Sequence, residues 1–177
     1  MKTADKFLKL QEKILKYDDD VKIHALIEKN LPFFKQLMTK VREQILAGNY
    51  HILYQPHCYP DGKIVGAEAL FRLSIEFDGQ KTKVNPFVLF AIANYFGLEE
   101  GLSLRAFNRV VEDTLSFKHH INNDFIVSYN LNPQFCNEHV CDQLIEIIDA
   151  NRIARKNHKT SLSKTRSHGI ARGISKR

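Results

Sequence analysis

The connection between two short apolar segments, residues 50–55 and 63–73, limits most strongly what this chain can fold into. Only about seven residues separate the segments, and Pro60, Asp61 and Gly62 stand in the middle. Parallel strands need a crossover of a dozen or more residues, so this connection is too short to join parallel neighbours. A Pro-Asp-Gly run is typical of a tight turn. The sequence therefore predicts that the two segments are antiparallel neighbours.

An acidic and a basic residue share one side of the second segment. Side chains alternate along a strand, so Glu68, Leu70 and Arg72 point to the same side. A strand this apolar seldom buries a carboxylate or a guanidinium unless the group is paired or binds a ligand. The spacing leaves two explanations open, an ion pair at a sheet edge or a site for a charged ligand.

Strands and helices follow one another in the rest of the central region. After a polar loop at 76–83, Asn85 and Pro86 start a helix that ends at Gly97. The periodicity further predicts a helix over 99–115, a strand over 124–131 and a helix over 140–150. This order predicts an α/β fold whose strands are parallel after the initial hairpin.

Two helices are predicted before this region. Apolar residues recur at helical spacing over 4–17 and again over 32–46, and three aspartates at 18–20 interrupt the pattern. The second helix has Pro32 in its first turn and ends at Gly48, the usual start and stop signals. The apolar stripes either pack on the following domain or contact a partner, a second copy of the chain or another protein. We favour packing within the chain.

The end of the chain differs in charge from the body. Residues 151–177 hold nine Lys or Arg and no Asp or Glu, which leaves 1–150 with 17 basic against 20 acidic groups. The formal net charge of +6 therefore comes entirely from this tail. Periodicity also ends there. We expect a helical segment at 1–47, an α/β domain at 48–150 and a basic, disordered tail at 151–177.

Three explanations compete for this tail. It could bind nucleic acid or a membrane surface, because basic, acid-free runs attract polyanions. It could be a solvated appendage, or it could be the product of out-of-frame translation. No aromatic residue interleaves with the basic ones, which argues against nucleic acid. We favour out-of-frame translation, since the tail begins just where a further strand is due.

Cysteine content and hydropathy indicate the compartment. The N-terminus leads into no apolar signal segment, and no stretch approaches 18 uncharged apolar residues. Three cysteines, an odd number, fit a reducing compartment better than a disulfide framework. The sequence therefore predicts a cytoplasmic protein with no membrane span.

Four motifs follow one another between about residues 38 and 151. They are Tyr54-Gln55-Pro56, Glu68-Ala69-Leu70-Phe71-Arg72, the segment from Asn85-Pro86 to Gly97, and Ser128-Tyr129-Asn130-Leu131-Asn132-Pro133. In wording, order and spacing they resemble the EAL domain family, bacterial cyclic di-GMP phosphodiesterases and their non-catalytic relatives. The resemblance implies the N-terminal portion of a modified (β/α)8 barrel whose antiparallel first strand agrees with the predicted hairpin.

The resemblance also implies a reaction and roles for five residues. The family hydrolyses one phosphodiester of cyclic di-GMP with the help of Mg²⁺ or Mn²⁺. By resemblance, Glu68 and Asn130 would be metal ligands, and Arg72 would hold a phosphate. Gln55 would hydrogen-bond the nucleotide, and Leu70 would contact its base.

The resemblance breaks off before the site is complete. Members of the family carry further metal ligands on later strands, beginning with a Glu-x-x-Glu motif. None of these is present, because the chain has no Asp or Glu after Asp149. We therefore expect a truncated EAL-type domain that is inactive alone. The alternative is a non-catalytic module that binds cyclic di-GMP or a protein.

Overall fold

The computed structural model describes residues 2–117, 125–131, 137–151 and 158–162. Three helices come first, α1 (Thr3–Leu15), α2 (Asp20–Lys29) and α3 (Leu31–Leu46). The strands are β1 (Tyr50–Cys58), β2 (Ile64–Phe77), β3 (Gln80–Val84), β4 (Ile126–Leu131) and β5 (His158–Leu162). Helices α4 (Pro86–Tyr95) and α5 (Glu99–Phe117) precede β4 in the chain, and α6 (Glu138–Ala150) precedes β5. No helix in these ranges is long and apolar enough to cross a membrane.

The three strands that the sequence predicts pair as expected. They form one sheet in the order β1-β2-β4-β5, with β3 also paired to β2. Strands β1 and β2 are antiparallel, and within the turn between them the Lys63 amide donates a 2.9 Å hydrogen bond to the Asp61 carboxylate. Strands β2, β4 and β5 are parallel. The α/β fold with an antiparallel first strand is therefore confirmed.

The N-terminal region has three helices where the sequence predicts two. The aspartates at 18–20 do not end the helical region, because they start α2. Asp19 is the N-cap, and its carboxylate accepts a 2.7 Å hydrogen bond from the Val21 amide. Only Ile23 and Ile27 of α2 are buried. One pair of buried residues four apart is too short a pattern to predict a helix.

The apolar stripes of α1 and α3 belong to the same hydrophobic core as the sheet. Phe7 of α1 packs on Phe77 of β2, with ring centroids 5.4 Å apart. Phe33 of α3 stacks on the same ring at 6.2 Å. Packing within the chain is therefore confirmed for these stripes. A partner at the N-terminal helices stays a prediction.

Strand β3 lies where the sequence predicts a polar loop at 76–83. Asp78 and Gly79 form the turn before it and both have positive φ, 49° and 77°. A two-residue turn with positive φ at both positions matches the twist of paired strands, so it favours a hairpin. Thr82 and Val84 are buried, whereas the residues between and before them are exposed. The loop prediction is wrong because charged residues on an edge strand resemble a loop in sequence.

Strand β5 lies in the tail, where the sequence predicts disorder. It pairs in parallel with β4 over residues 158–162. The edge of β4 presents backbone N–H and C=O groups, and the connection through α6 is long enough for a parallel crossover. Backbone pairing needs no side-chain periodicity, so the sequence pattern did not show it. Residues 152–157 and 163–177 lie outside the described ranges, and the disorder and out-of-frame origin proposed for them stay predictions.

The sheet has one face toward the core and one away from it. In β2, the buried residues Phe71 and Leu73 alternate with the half-buried Leu70 and Arg72. We call the second side the open face. Its side chains are His51, Leu53, Gln55 and His57 of β1, Glu68, Leu70, Arg72, Ser74 and Glu76 of β2, Lys81 and Lys83 of β3, and Ser128 and Asn130 of β4.

Tyr129 lies on the core side of β4 and is 4% exposed. Its hydroxyl donates a 3.1 Å hydrogen bond to the Ser103 carbonyl of α5, and its ring packs edge-on against Phe107. Burial raises the pKa of the Tyr129 hydroxyl far above its usual range, because the charged phenolate would lose its contact with water. The folded protein therefore holds this proton more tightly than the unfolded chain does.

Tyr129→Phe is expected to destabilise the protein at neutral pH but not at high pH. The lost hydrogen bond should cost about 1 kcal/mol at pH 7. In the unfolded chain the phenol loses its proton near pH 10, so wild-type stability should fall by up to about 1.4 kcal/mol per pH unit above that point. The deficit of the variant should therefore vanish near pH 11. Urea unfolding at both pH values measures it, and an equal deficit at both would contradict the raised pKa.

Candidate functional site

Strand β2 places Glu68, Leu70 and Arg72 side by side on the open face, and all three are half-buried. They alternate with Ala69 and Phe71, which are buried in the core. This is the placement that strand alternation predicts. Because the burial of Ala69 and Phe71 fixes the strand in place, the side chains of Glu68, Leu70 and Arg72 all point to the open face.

Asn130 lies beside Glu68, although 62 residues separate them in the chain. Strands β2 and β4 are parallel with Glu68 opposite Ser128, so Asn130 lies two residues further along the same face. The Asn130 amide nitrogen donates a hydrogen bond to a carboxylate oxygen of Glu68. The two residues predicted to be metal ligands therefore meet. Their role as ligands stays a prediction.

Strand β1 approaches Glu68 and Leu70 from the other side. Its register places Gln55 opposite Glu68 and Leu53 opposite Leu70. Opposed residues of antiparallel strands share a face, with Cβ atoms about 4.5–5.5 Å apart. Gln55 is exposed, and so is Leu53, at 54%. Gln55 and Leu70, the two residues predicted to contact the nucleotide, thus lie close together. Leu53 widens the apolar surface.

Ser128 and His57 also belong to this cluster, and sequence reasoning missed both. Ser128 is the register partner of Glu68 on β4, and its hydroxyl lies 3.4 Å from the Ala67 carbonyl oxygen. His57 Nε2 lies 3.3 Å from the Ser128 hydroxyl. Each residue stands two positions from a predicted one on its own strand. Extending the alternation by one step would have found them.

Arg72 does not pair with Glu68. Its Nη1 donates a 2.8 Å hydrogen bond to the Phe71 carbonyl. None of the ion pairs in the described ranges joins the two residues. The explanation of an acid and a base on one strand as an ion pair is therefore not supported. A guanidinium has five N–H donors, so the donors that Phe71 does not use can bind an anion.

The donors around Glu68 fit one divalent cation. Ions such as Mg²⁺ prefer oxygen ligands and often bind through one or two carboxylates while keeping several waters. Glu68 offers a carboxylate on a face open to solvent, and Asn130 would add its amide oxygen by turning the amide, whose nitrogen now faces Glu68. A pair of cations does not fit, because no three His, Cys, Asp or Glu side chains gather in the part of the chain that the structure describes.

Comparison with known families identifies the fold. The model of the EAL domain matches residues 38–161, a span that holds Gln55, Glu68, Arg72 and Asn130. The chain belongs to the EAL domain family. The resemblance found in the sequence is therefore confirmed, as is the fold class, the N-terminal portion of this family's modified (β/α)8 barrel. EAL domains belong to a family of metal-dependent cyclic di-GMP phosphodiesterases.

Solved structures share the fold of this EAL domain. The PaMucR phosphodiesterase in complex with c-di-GMP matches with a TM-score of 0.63 at 19% identity, over 75% of this chain and 54% of that one. The FimX EAL domain of Xanthomonas citri in complex with c-diGMP matches with a TM-score of 0.60 at 14% identity, over 78% and 53%. The cAMP-bound EAL enzyme Bd1971 gives 0.53 at 19% identity, over 84% and 44%.

These matches show the fold alone. The EAL domain described here spans about half the length of the first two solved structures, 54% and 53%. No curated protein matches the chain. The activity and ligand of this chain are therefore argued from its own residues.

Proposed function

We propose that this EAL domain binds cyclic di-GMP on the open face and does not hydrolyse it alone. The observation that carries the proposal is the placement of Gln55, Leu70 and Arg72 on the same face as Glu68. These residues come from two strands and share one accessible surface. The ligand of the two solved complexes in the same fold, c-di-GMP in both, supports the choice of nucleotide.

The chemistry of the three residues suits a cyclic dinucleotide. The planar guanidinium of Arg72 offers paired donors to a phosphate. Leu70 and Leu53 form an apolar surface on which a guanine base can lie. The Gln55 amide can both donate to and accept from the nucleotide. Glu68 stands four residues from Arg72, roughly 13 Å along the strand. The carboxylate of Glu68 and the phosphate-binding guanidinium of Arg72 therefore lie on opposite sides of Leu70.

A divalent cation would be held by Glu68 and Asn130. When bound, such an ion neutralises phosphoryl charge and lowers the pKa of a bound water. The residues of this chain would fix its place, with Ser128 and Gln55 as the polar neighbours of the carboxylate. The cation thus serves ligand binding in this proposal.

Too few carboxylates surround that position for hydrolysis. Of the described residues on the open face, only Glu68 and Glu76 are acidic, and they stand eight residues apart on β2. Strand β5, the next parallel strand, has the sequence His-Lys-Thr-Ser-Leu and adds no Asp or Glu. A mechanism with two cations needs carboxylates that converge on both ions. We therefore propose binding without turnover for the chain on its own.

Arg72→Ala is expected to weaken cyclic di-GMP binding by about tenfold to a hundredfold. Hydrogen bonds to a charged group contribute about 1.5–3 kcal/mol each, and the change removes the phosphate contact. Isothermal titration calorimetry with the full chain measures the effect. Arg42→Ala is the matched control, because Arg42 is exposed on α3, outside the open face. This variant should bind like the wild type.

The proposal has two points at which it can fail. Equal binding by the wild type and Arg72→Ala would remove Arg72 from the site. Release of the linear dinucleotide by the purified chain with Mg²⁺ or Mn²⁺, followed by chromatography, would contradict the absence of turnover. Binding that depends on Arg72, without any product, is the expected result.

A further inference from the structure

The β2–β3 hairpin extends the open face beyond Arg72. Leu73 pairs with Tyr50 of β1 and with Val84 of β3, so the two strands flank β2 at this height. The hairpin stands at the carboxyl end of the parallel strands β2 and β4. In α/β barrels this end is where ligands bind.

Lys83 lies diagonally across from Arg72. Lys83 pairs with Ser74, two residues beyond Arg72 on the same face of β2. Diagonal neighbours of this kind have Cα atoms about 7–8 Å apart, within reach of two long side chains. His51 of β1 is the direct partner of Arg72 on the other side. Two nitrogen-bearing side chains, His51 and Lys83, thus flank Arg72 on the open face.

This end of the open face carries an excess of positive charge. Arg72, Lys81 and Lys83 share it with one carboxylate, Glu76, which is the register partner of Lys81. None of these four side chains belongs to an ion pair in the described ranges. Lys83 is exposed, so its ammonium group is accessible to a ligand. A dianion placed here would meet a net charge of about +2.

The opposite face of the hairpin is fixed to the N-terminal helices. Phe77 packs against both Phe7 and Phe33, at 5.4 Å and 6.2 Å between ring centroids. The Asp78 carboxylate accepts a 3.2 Å hydrogen bond from the Thr3 amide. The hairpin therefore holds the backbone of Lys83 in place, which reduces the entropy lost when the side chain binds an anion.

We infer that Lys83 is a second phosphate-binding residue and forms a two-cation clamp with Arg72. The clamp takes anions with two neighbouring phosphoryl groups. That its natural ligand is cyclic di-GMP rests on the proposed function. The clamp itself would also bind a simpler anion of this class, inorganic pyrophosphate. A lysine contributes as a point charge, so its effect should depend on ionic strength.

The test compares Lys83→Ala with Lys81→Ala, an identical change two residues away on the same strand and face. Wild type and both variants are titrated with cyclic di-GMP by calorimetry and with pyrophosphate by ³¹P NMR, without divalent cations. Lys83→Ala should weaken both ligands by about threefold to tenfold and reduce the salt dependence of binding. Lys81→Ala should change affinity less than about twofold, because its register partner Glu76 lies four residues beyond Arg72, roughly 13 Å along β2.

The two ligands separate the clamp from the proposed function. Pyrophosphate binding that depends on Lys83, without cyclic di-GMP binding by the wild type, would support the clamp and overturn the proposed function. Cyclic di-GMP binding that depends on Arg72 but not on Lys83 would overturn the clamp alone. Equal losses in both lysine variants would also overturn it, since charge alone would then explain binding. Binding of neither ligand would overturn both proposals.

Discussion

Phe77→Ala is expected to lower the free energy of unfolding by about 3–5 kcal/mol. Phe77 is 4% exposed at the C-terminal end of β2, and its ring contacts both Phe7 of α1 and Phe33 of α3. Truncation would leave a cavity at the place where two helices meet the hairpin. The two remaining rings belong to separate helices and cannot both move to fill it, so the cost should lie in the upper part of the range for buried aromatic residues.

Urea unfolding followed by circular dichroism measures this effect, which suits a chain without Trp. Phe87→Ala is the matched control, because Phe87 is 47% exposed at the start of α4. It should cost less than about 1 kcal/mol. Amide hydrogen exchange should also become faster in α1, which loses its aromatic contact with the sheet. Similar losses in both variants would contradict a central role for Phe77.

The position of Phe77 bears on the size of the folding unit. The family match begins at residue 38, inside α3, so α1 and α2 lie before it. Phe7 nevertheless shares one hydrophobic core with Phe71 and Phe107. The N-terminal helices therefore stabilise the same sheet that carries the site, whether or not they also meet a partner. The boundary that the sequence predicts between the helical segment 1–47 and the domain 48–150 stays a prediction. The hydrophobic core includes residues from both sides of it.

Local rules predicted the elements with strong, redundant signals. The short connection through Gly62 required the antiparallel pair, and alternation placed Glu68 and Arg72 on one face. Helix α2 and strand β3 have weaker signals. Helix α2 buries only two residues, and β3 alternates lysines with Thr82 and Val84. The Asp78-Gly79 pair was a usable hairpin signal, but the charged strand beside it indicated a loop.

The features of the site that the sequence could not predict depend on contacts between segments that are distant in the chain. The proximity of Asn130 to Glu68 depends on the register of β2 with β4, which no local pattern determines. Here the family resemblance supplied the pairing. The family resemblance implies no role for His57 or Ser128. They come together only because β1 and β4 pair with opposite edges of β2. Lys83 reaches the site only because a predicted loop is a strand.

Gly66→Ala is expected to destabilise the protein by about 3 kcal/mol and to separate the site residues. A Cβ atom at Gly66 would overlap the backbone carbonyl of Ile126, the first residue of β4. The φ of Gly66 lies outside the left-handed region, so alanine itself can adopt the backbone conformation. The contact is with backbone, and no side-chain rotation relieves it. Strand β4 must therefore shift, at a cost in the upper part of the range for overpacking.

Gly101→Ala is the matched control for this change. Gly101 lies in α5, and a Cβ atom there would meet nothing within 4 Å. Alanine should stabilise that helix by about 0.5–1 kcal/mol, because it loses less backbone entropy than glycine. Urea unfolding of both variants gives opposite signs if the close approach at Gly66 is real. A Gly66→Ala variant as stable as the wild type would contradict the register of β2 and β4.

The same variant tests whether the close packing of β4 serves the site. Gly66 stands two residues before Glu68, and Ile126 stands four before Asn130. A shift of β4 away from β2 should break the hydrogen bond between Asn130 and Glu68, seen as a changed Asn130 side-chain amide signal in NMR spectra. Cyclic di-GMP binding should then weaken even though Arg72 remains. A destabilised variant with unchanged binding would show that Glu68 and Asn130 contribute nothing to the nucleotide site.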